Sequence, residues 1–126
     1  MILTGPTALT LVTGKTAASR EAAIALRFDP RLSTAFILEG LSSGSNSLET
    51  LAAQARFPLV RVAPACMCCM GNLTLRVHLN RILRHPPEQL YLSIASDEHI
   101  DRLRDFLSSP PYTKLLSLEP FIQADE

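Results

Sequence analysis

The chain has little of what would tie it to a polymer, a membrane or an oxidising compartment. Twelve basic and twelve acidic side chains cancel, so no net field favours nucleic acid or an anionic membrane surface. Arg76, Arg81 and Arg84 form the one basic grouping, and their spacing fits a solvated helix face. No apolar run approaches the about 20 residues that span a bilayer. The start, Met1-Ile2-Leu3-Thr4, lacks a basic region followed by a long apolar core, so no secretory leader is expected. The expected address is therefore cytoplasmic, where thiols stay reduced. Cysteine is scarce, at three residues, and an odd number cannot pair completely into a disulfide framework. No Ser/His/Asp arrangement stands out. Asp97, Glu98 and Asp101 suit a helix start rather than a pair of carboxylates for hydrolysis.

What is present is a core-forming chain. Hydrophobic residues make up 47% of 126, enough for one folded domain over residues 1–126. Apolar runs at Ala8–Thr13, Thr34–Leu38, Phe57–Ala63, Gln89–Ala95 and Leu115–Leu118 are expected strands. Between them, Ala17–Phe28, Leu48–Ala55, Asn72–Arg84 and Asp97–Leu107 are expected helices. The third helix carries Leu75, Leu79 and Ile82 at spacings of four and three, one apolar stripe. Asn72 is its expected N-cap, as Ser96 or Asp97 is for the fourth. Residues 42–47 read as a polar loop and residues 122–126 as a mobile tail. Strands alternating with helices predict an α/β three-layer sandwich with a mostly parallel sheet and right-handed crossovers.

All three cysteines fall in Cys66-Met67-Cys68-Cys69, between an expected strand end and a helix start. Ligands of α/β proteins bind at that kind of place. Clustered thiolates are soft ligands that suit Zn²⁺ or Cu(I), and Cys66 and Cys69 have the Cys-x-x-Cys spacing that brings two sulfurs to one ion. Cys68 supplies a third if the loop bends sharply, and Gly71 helps such a bend. Met67 and Met70 are soft auxiliary donors or loop packing. Cys66 and Cys69 are equally a candidate dithiol/disulfide couple at a helix N-terminus. A third alternative is an interaction scaffold whose reduced cysteines hold no ligand.

The order of features, a first strand ending in Thr13-Gly14, a later strand, the Cys-Met-Cys-Cys loop and a helix, resembles the CobW-type metallochaperone GTPases, over the N-terminal part of a full family member. That resemblance implies a P-loop-NTPase-like sheet. The family's phosphate loop, Gly-x-x-x-x-Gly-Lys-Ser/Thr, uses glycines to turn N–H groups to phosphate, a lysine for charge and a hydroxyl for Mg²⁺. Placed on Gly14-Lys15-Thr16, that pattern has Leu9 where its first glycine belongs. Placed on Thr13-Gly14, it has Ser19 for the second glycine, Arg20 for the lysine and Glu21 for the hydroxyl residue. Glu21 would set a carboxylate against phosphate. A degenerate phosphate loop that does not hold nucleotide is the expectation.

The family's Asn-Glu-Phe-Gly-Glu stretch falls on Leu38-Glu39-Gly40-Leu41-Ser42, and the resemblance implies a metal-contacting carboxylate there, at Glu39. A tetrahedral zinc site built on Cys66, Cys68 and Cys69 needs one more donor at about 2.0–2.3 Å. Glu39, His78, His85, His99, water and a partner protein are the candidates. The expected function is binding of a thiophilic metal, zinc foremost, for transfer to a client protein or for sensing. A divergent GTP-binding metallochaperone is the enzymatic alternative.

Overall fold

The computed structural model describes residues 5–40, 47–62, 73–95, 98 and 100–124. The first strand, β1 (Thr7–Thr13), runs into α1 (Ala17–Arg27). Thr16 caps that helix: its backbone is extended and its side chain accepts from Ser19 N at 3.0 Å. Phe28 leaves the helix as its N–H bonds Ile24 O, and Pro30 two residues on cannot continue a helix. β2 (Thr34–Glu39), α2 (Ser47–Ala55) and β3 (Leu59–Val62) follow, then α3 (Leu73–Ile82) and β4 (Gln89–Ile94). The chain closes with α4 (Ile100–Leu107), the single turn α5 (Tyr112–Leu115), β5 (Leu116–Leu118) and β6 (Ile122–Gln123).

The six strands form one sheet in the order β3-β2-β4-β1-β5, with β6 also paired to β1. Every pairing is parallel. β4 covers one edge of β1 from Ala8 to Thr13, so β5 and β6 lie in tandem along the other, at Thr7–Leu9 and at Val12–Thr13. A parallel sheet is covered on both faces, and two cores show this. On one face Leu9, Leu11, Ile37, Leu90 and Leu92 pack with Leu75 and Leu79 of α3 and Leu103 of α4. On the other, Val12, Phe36, Leu38 and Tyr91 pack with Ile24 of α1 and Leu48 of α2. Phe28 meets Phe36 edge-on at 5.4 Å, and Phe36 stacks on Tyr91 at 6.1 Å. The protein is thus an α/β three-layer sandwich of P-loop-like form.

Differences from the sequence reading are local. β3 starts at Leu59, because Phe57 and Pro58 belong to the corner that ends α2. The chain turns there through Arg56 at φ 62°, with Phe57 N bonded to Ala52 O and Arg56 N to Ala53 O. These two bonds form a Schellman close. The expected tail contains β6, and Ala124 N donates to Thr13 O at 2.7 Å. The expected caps Asn72, Ser96 and Asp97 lie outside the described residues, as does most of the 42–47 loop. No helix among the described residues is long and apolar enough to cross a membrane.

Arg56 holds a left-handed conformation that a Cβ disfavours by about 1–2 kcal/mol. Arg56→Gly is expected to stabilise the fold by about 0.5–1 kcal/mol, the glycine's added chain entropy offsetting part of the relief. A higher urea midpoint at unchanged slope would show this. An unchanged or lower midpoint would mean that the arginine side chain itself holds the corner.

Candidate functional site

Consecutive connections part company at the neighbouring strands β1 and β4. The chain leaves β1 for α1 on one face of the sheet and leaves β4 for α4 on the other. In open α/β sheets the carboxyl ends of such a strand pair form the ligand crevice. Here the described part of that crevice is built from charged side chains that grip protein groups.

Arg20, one turn into α1, is 2% exposed. Its Nε donates to Ser93 Oγ at 2.7 Å, Nη1 to Gly14 O at 2.8 Å and Nη2 to Glu39 O at 2.6 Å. One planar guanidinium therefore joins the tips of β1, β2 and β4. Two glycines make room for it. A Cβ on Gly14 would lie 3.0 Å from Arg20 Cγ, and Gly40, at φ 119°, would bring one within 3.3 Å of Arg20 Nη2.

Glu21, 6% exposed, takes Arg61 of β3 in a two-pronged pair, with Nη1–Oε2 and Nη2–Oε1 both 2.8 Å. Arg61 Nε donates to Glu49 Oε2 of α2, and Nη1 also reaches Gly40 O at 3.3 Å. Hydrogen bonding to Glu21 raises the Arg61 pKa above its usual value, against desolvation and with help from Glu49. Thus the two residues that sequence placement put at the lysine and hydroxyl positions of a phosphate loop both hold protein groups.

Glu39 ends β2 at 3% exposure, and its Oε1 accepts from Ala95 N at 2.6 Å. In the sheet register it stands directly opposite Val62, and Gly40 N bonds Val62 O at 2.9 Å. Val62 is the last described residue before the cysteine segment, and it packs in the core that α3 covers. Paired parallel residues share a face, so the Glu39 side chain is on the α3 face, level with the root of that segment. Cys66, Cys68 and Cys69 themselves, with Met67, Met70 and His99, lie outside the described residues. Among the described residues no three His, Cys, Asp or Glu side chains gather as a metal-binding group.

The remaining histidine candidates are not brought to Glu39 by any described contact. His85 is exposed beyond the end of α3. His78 has a buried Nδ1 with no hydrogen-bond partner among the described residues. Desolvation, then Arg81, lowers its pKa from the ordinary 6.5. Lys15 is exposed.

Sequence reasoning missed Arg61, Glu49 and Ser93. Arg61 was the findable one. A lone arginine inside Leu59-Val60-Arg61-Val62, in a sheet covered on both faces, requires a buried carboxylate or equivalent acceptors. Compared with protein-family models, with curated proteins and with solved structures, the chain finds no match.

Two outcomes test this charge arrangement. Arg61→Met leaves the Glu21 carboxylate buried without its cation and is expected to destabilise by about 3 kcal/mol. The double variant with Glu21→Met should recover most of that loss in denaturant titrations, and equal losses would show the pair to be unimportant. For His78, burial favours the neutral ring, so its contribution is present above the unfolded pKa near 6.5 and is lost as pH falls below it. Unfolding followed from pH 7.5 to 5.5 should show declining stability, with a shallower decline in His78→Leu. Parallel profiles would sink that assignment.

Proposed function

We propose that this chain is a CobW-like domain that has given up nucleotide and keeps metal binding. It takes a thiophilic ion, zinc foremost, through Cys66, Cys68 and Cys69 with Glu39 as the oxygen donor, and passes the ion to a client protein or senses it. Its setting is the cytoplasm, where the thiols stay reduced. The observation that carries this reading is the register of Glu39 against Val62. A buried carboxylate stands beside the root of the one segment that holds every thiol in the chain. Its chemistry fits the missing fourth donor, because Zn²⁺ accepts Asp and Glu oxygen alongside thiolate.

The nucleotide half of the reading is supported at Arg20 and Glu21. Triphosphate binding needs a cation and N–H groups turned toward phosphate, with a hydroxyl for Mg²⁺. At the matching positions, Arg20 donates to Gly14 O, Glu39 O and Ser93 Oγ, and Glu21 is an anion clamped by Arg61.

Zinc competition against a chromophoric chelator, under reducing conditions, tests the metal reading. Wild type should withdraw zinc, Glu39→Gln should hold it more weakly, and the Cys66/Cys68/Cys69→Ser triple variant should withdraw none. Equal competition by wild type and the triple variant overturns the reading. A fluorescent GTP analogue in Mg²⁺ buffer should show no saturable binding at millimolar concentration, and saturation would restore the GTPase alternative.

A further inference from the structure

Residues Leu73 to His85, which make α3 and the turn after it, include three arginines and no acid. One side of the helix is taken up by the core, through Leu75, Leu79 and Ile82. The other side is open. Leu73 is 63% exposed and Val77 48% exposed, and Arg81 is exposed one turn beyond them. Spaced by four, these three share one line along the helix. Arg84 is exposed at the end of that line. Arg76 is exposed on the flank towards α4, its guanidinium 5.4 Å over the Phe106 ring. Among the described residues no carboxylate pairs with Arg76, Arg81 or Arg84. Arg31 and Arg61, by contrast, each hold an acid of this chain.

We propose that this side of α3 is a docking surface for an acidic amphipathic helix of a partner protein. Such a helix lays apolar side chains on Leu73 and Val77 and carboxylates on Arg81 and Arg84, with Arg76 at the rim. Charge complementarity selects the partner, because the strip offers cations and no acid, and a guanidinium presents carboxylate with a planar fork. The apolar pair, about 6 Å apart along the axis, adds attraction that salt does not screen. With its apolar end and its cationic end distinct, the strip also sets which way the partner helix runs. A nucleic acid would meet the arginines and leave Leu73 and Val77 unmatched. An anionic membrane is broad, and it would also meet α4, which covers the same face of the sheet and exposes Asp101 and Asp105. A single helix, about 10 Å across, is narrow enough to lie on α3 alone. This inference does not depend on the metal reading.

The test uses the full chain and a synthetic helical peptide of about 18 residues, long enough to hold a helix in water. The peptide carries two leucines one turn apart and glutamates in the following two turns. In an NMR titration the amide signals of Leu73 to Arg84 should shift and saturate. Arg81→Glu combined with Arg84→Glu should weaken binding about tenfold. A peptide with lysines in place of the glutamates should bind that double variant and not wild type. Leu73→Ser combined with Val77→Ser should also weaken binding about tenfold, and what remains should vanish at high salt. All four positions are exposed, so these variants should keep the wild-type circular dichroism. Absence of saturable shifts in α3, equal binding of the two peptides by wild type, or failure of the charge exchange to restore binding overturns the proposal. Tighter binding to phosphatidylglycerol-containing vesicles or to a DNA duplex than to the glutamate peptide overturns it as well.

Discussion

A guanidinium buried at the carboxyl ends of three strands is the constraint on which the rest of this structure hangs. Removing a cation from water is costly unless its donors are all met. Arg20 donates to two backbone carbonyls and a hydroxyl, one from each of its three nitrogens. The backbone has to conform in return. Gly14 must lack a side chain where Arg20 Cγ passes, and Gly40 must turn through positive φ beside its Nη2. The strand tips, the α1 entry and the Glu39 backbone are therefore set together and not one by one.

Arg61 does related work at the sheet edge. Among the described residues β3 has only β2 as a neighbour, and a strand four residues long has few backbone bonds to hold it. Its arginine ties it to α1 through Glu21 and to α2 through Glu49. The strand that leads into the cysteine segment is thus braced by side-chain charge as well as by the sheet ladder. Arg20 and Arg61 divide the crevice between them, one gripping strand tips and the other carboxylates.

The architecture was legible because it is written in long, uniform signals. The apolar runs of β2 and β4 and the Leu75, Leu79, Ile82 stripe of α3 require only local reading. α5 and β6 were not legible. A four-residue turn between prolines and a two-residue strand carry no periodicity, and β6 exists because β1 offers an unfilled edge at Val12–Thr13. At the site, Arg20 and Glu21 were visible as residues unsuited to phosphate, but their true partners were not. Ser93 and Arg61 lie 73 and 40 residues away from them in the chain, and nothing local encodes such distances. Glu39 drew notice only through family resemblance. Its register beside Val62 is a property of the assembled sheet.

The position of β4 has a consequence for how the chain is made. β1 and β2 do not pair with each other in the sheet; both pair with β4, and a buried bond from Thr7 Oγ1 to Pro87 O ties the start of β1 to the approach to β4. A nascent chain leaving the ribosome therefore carries two apolar strands that wait for a common neighbour encoded much later. Sequence-distant parallel pairing of this kind is slow and leaves sticky edges open in the interval. Synthesis interrupted before Gln89 would leave the first two strands without the neighbour that pairs with both, so the crevice is completed only once the second half of the polypeptide has emerged.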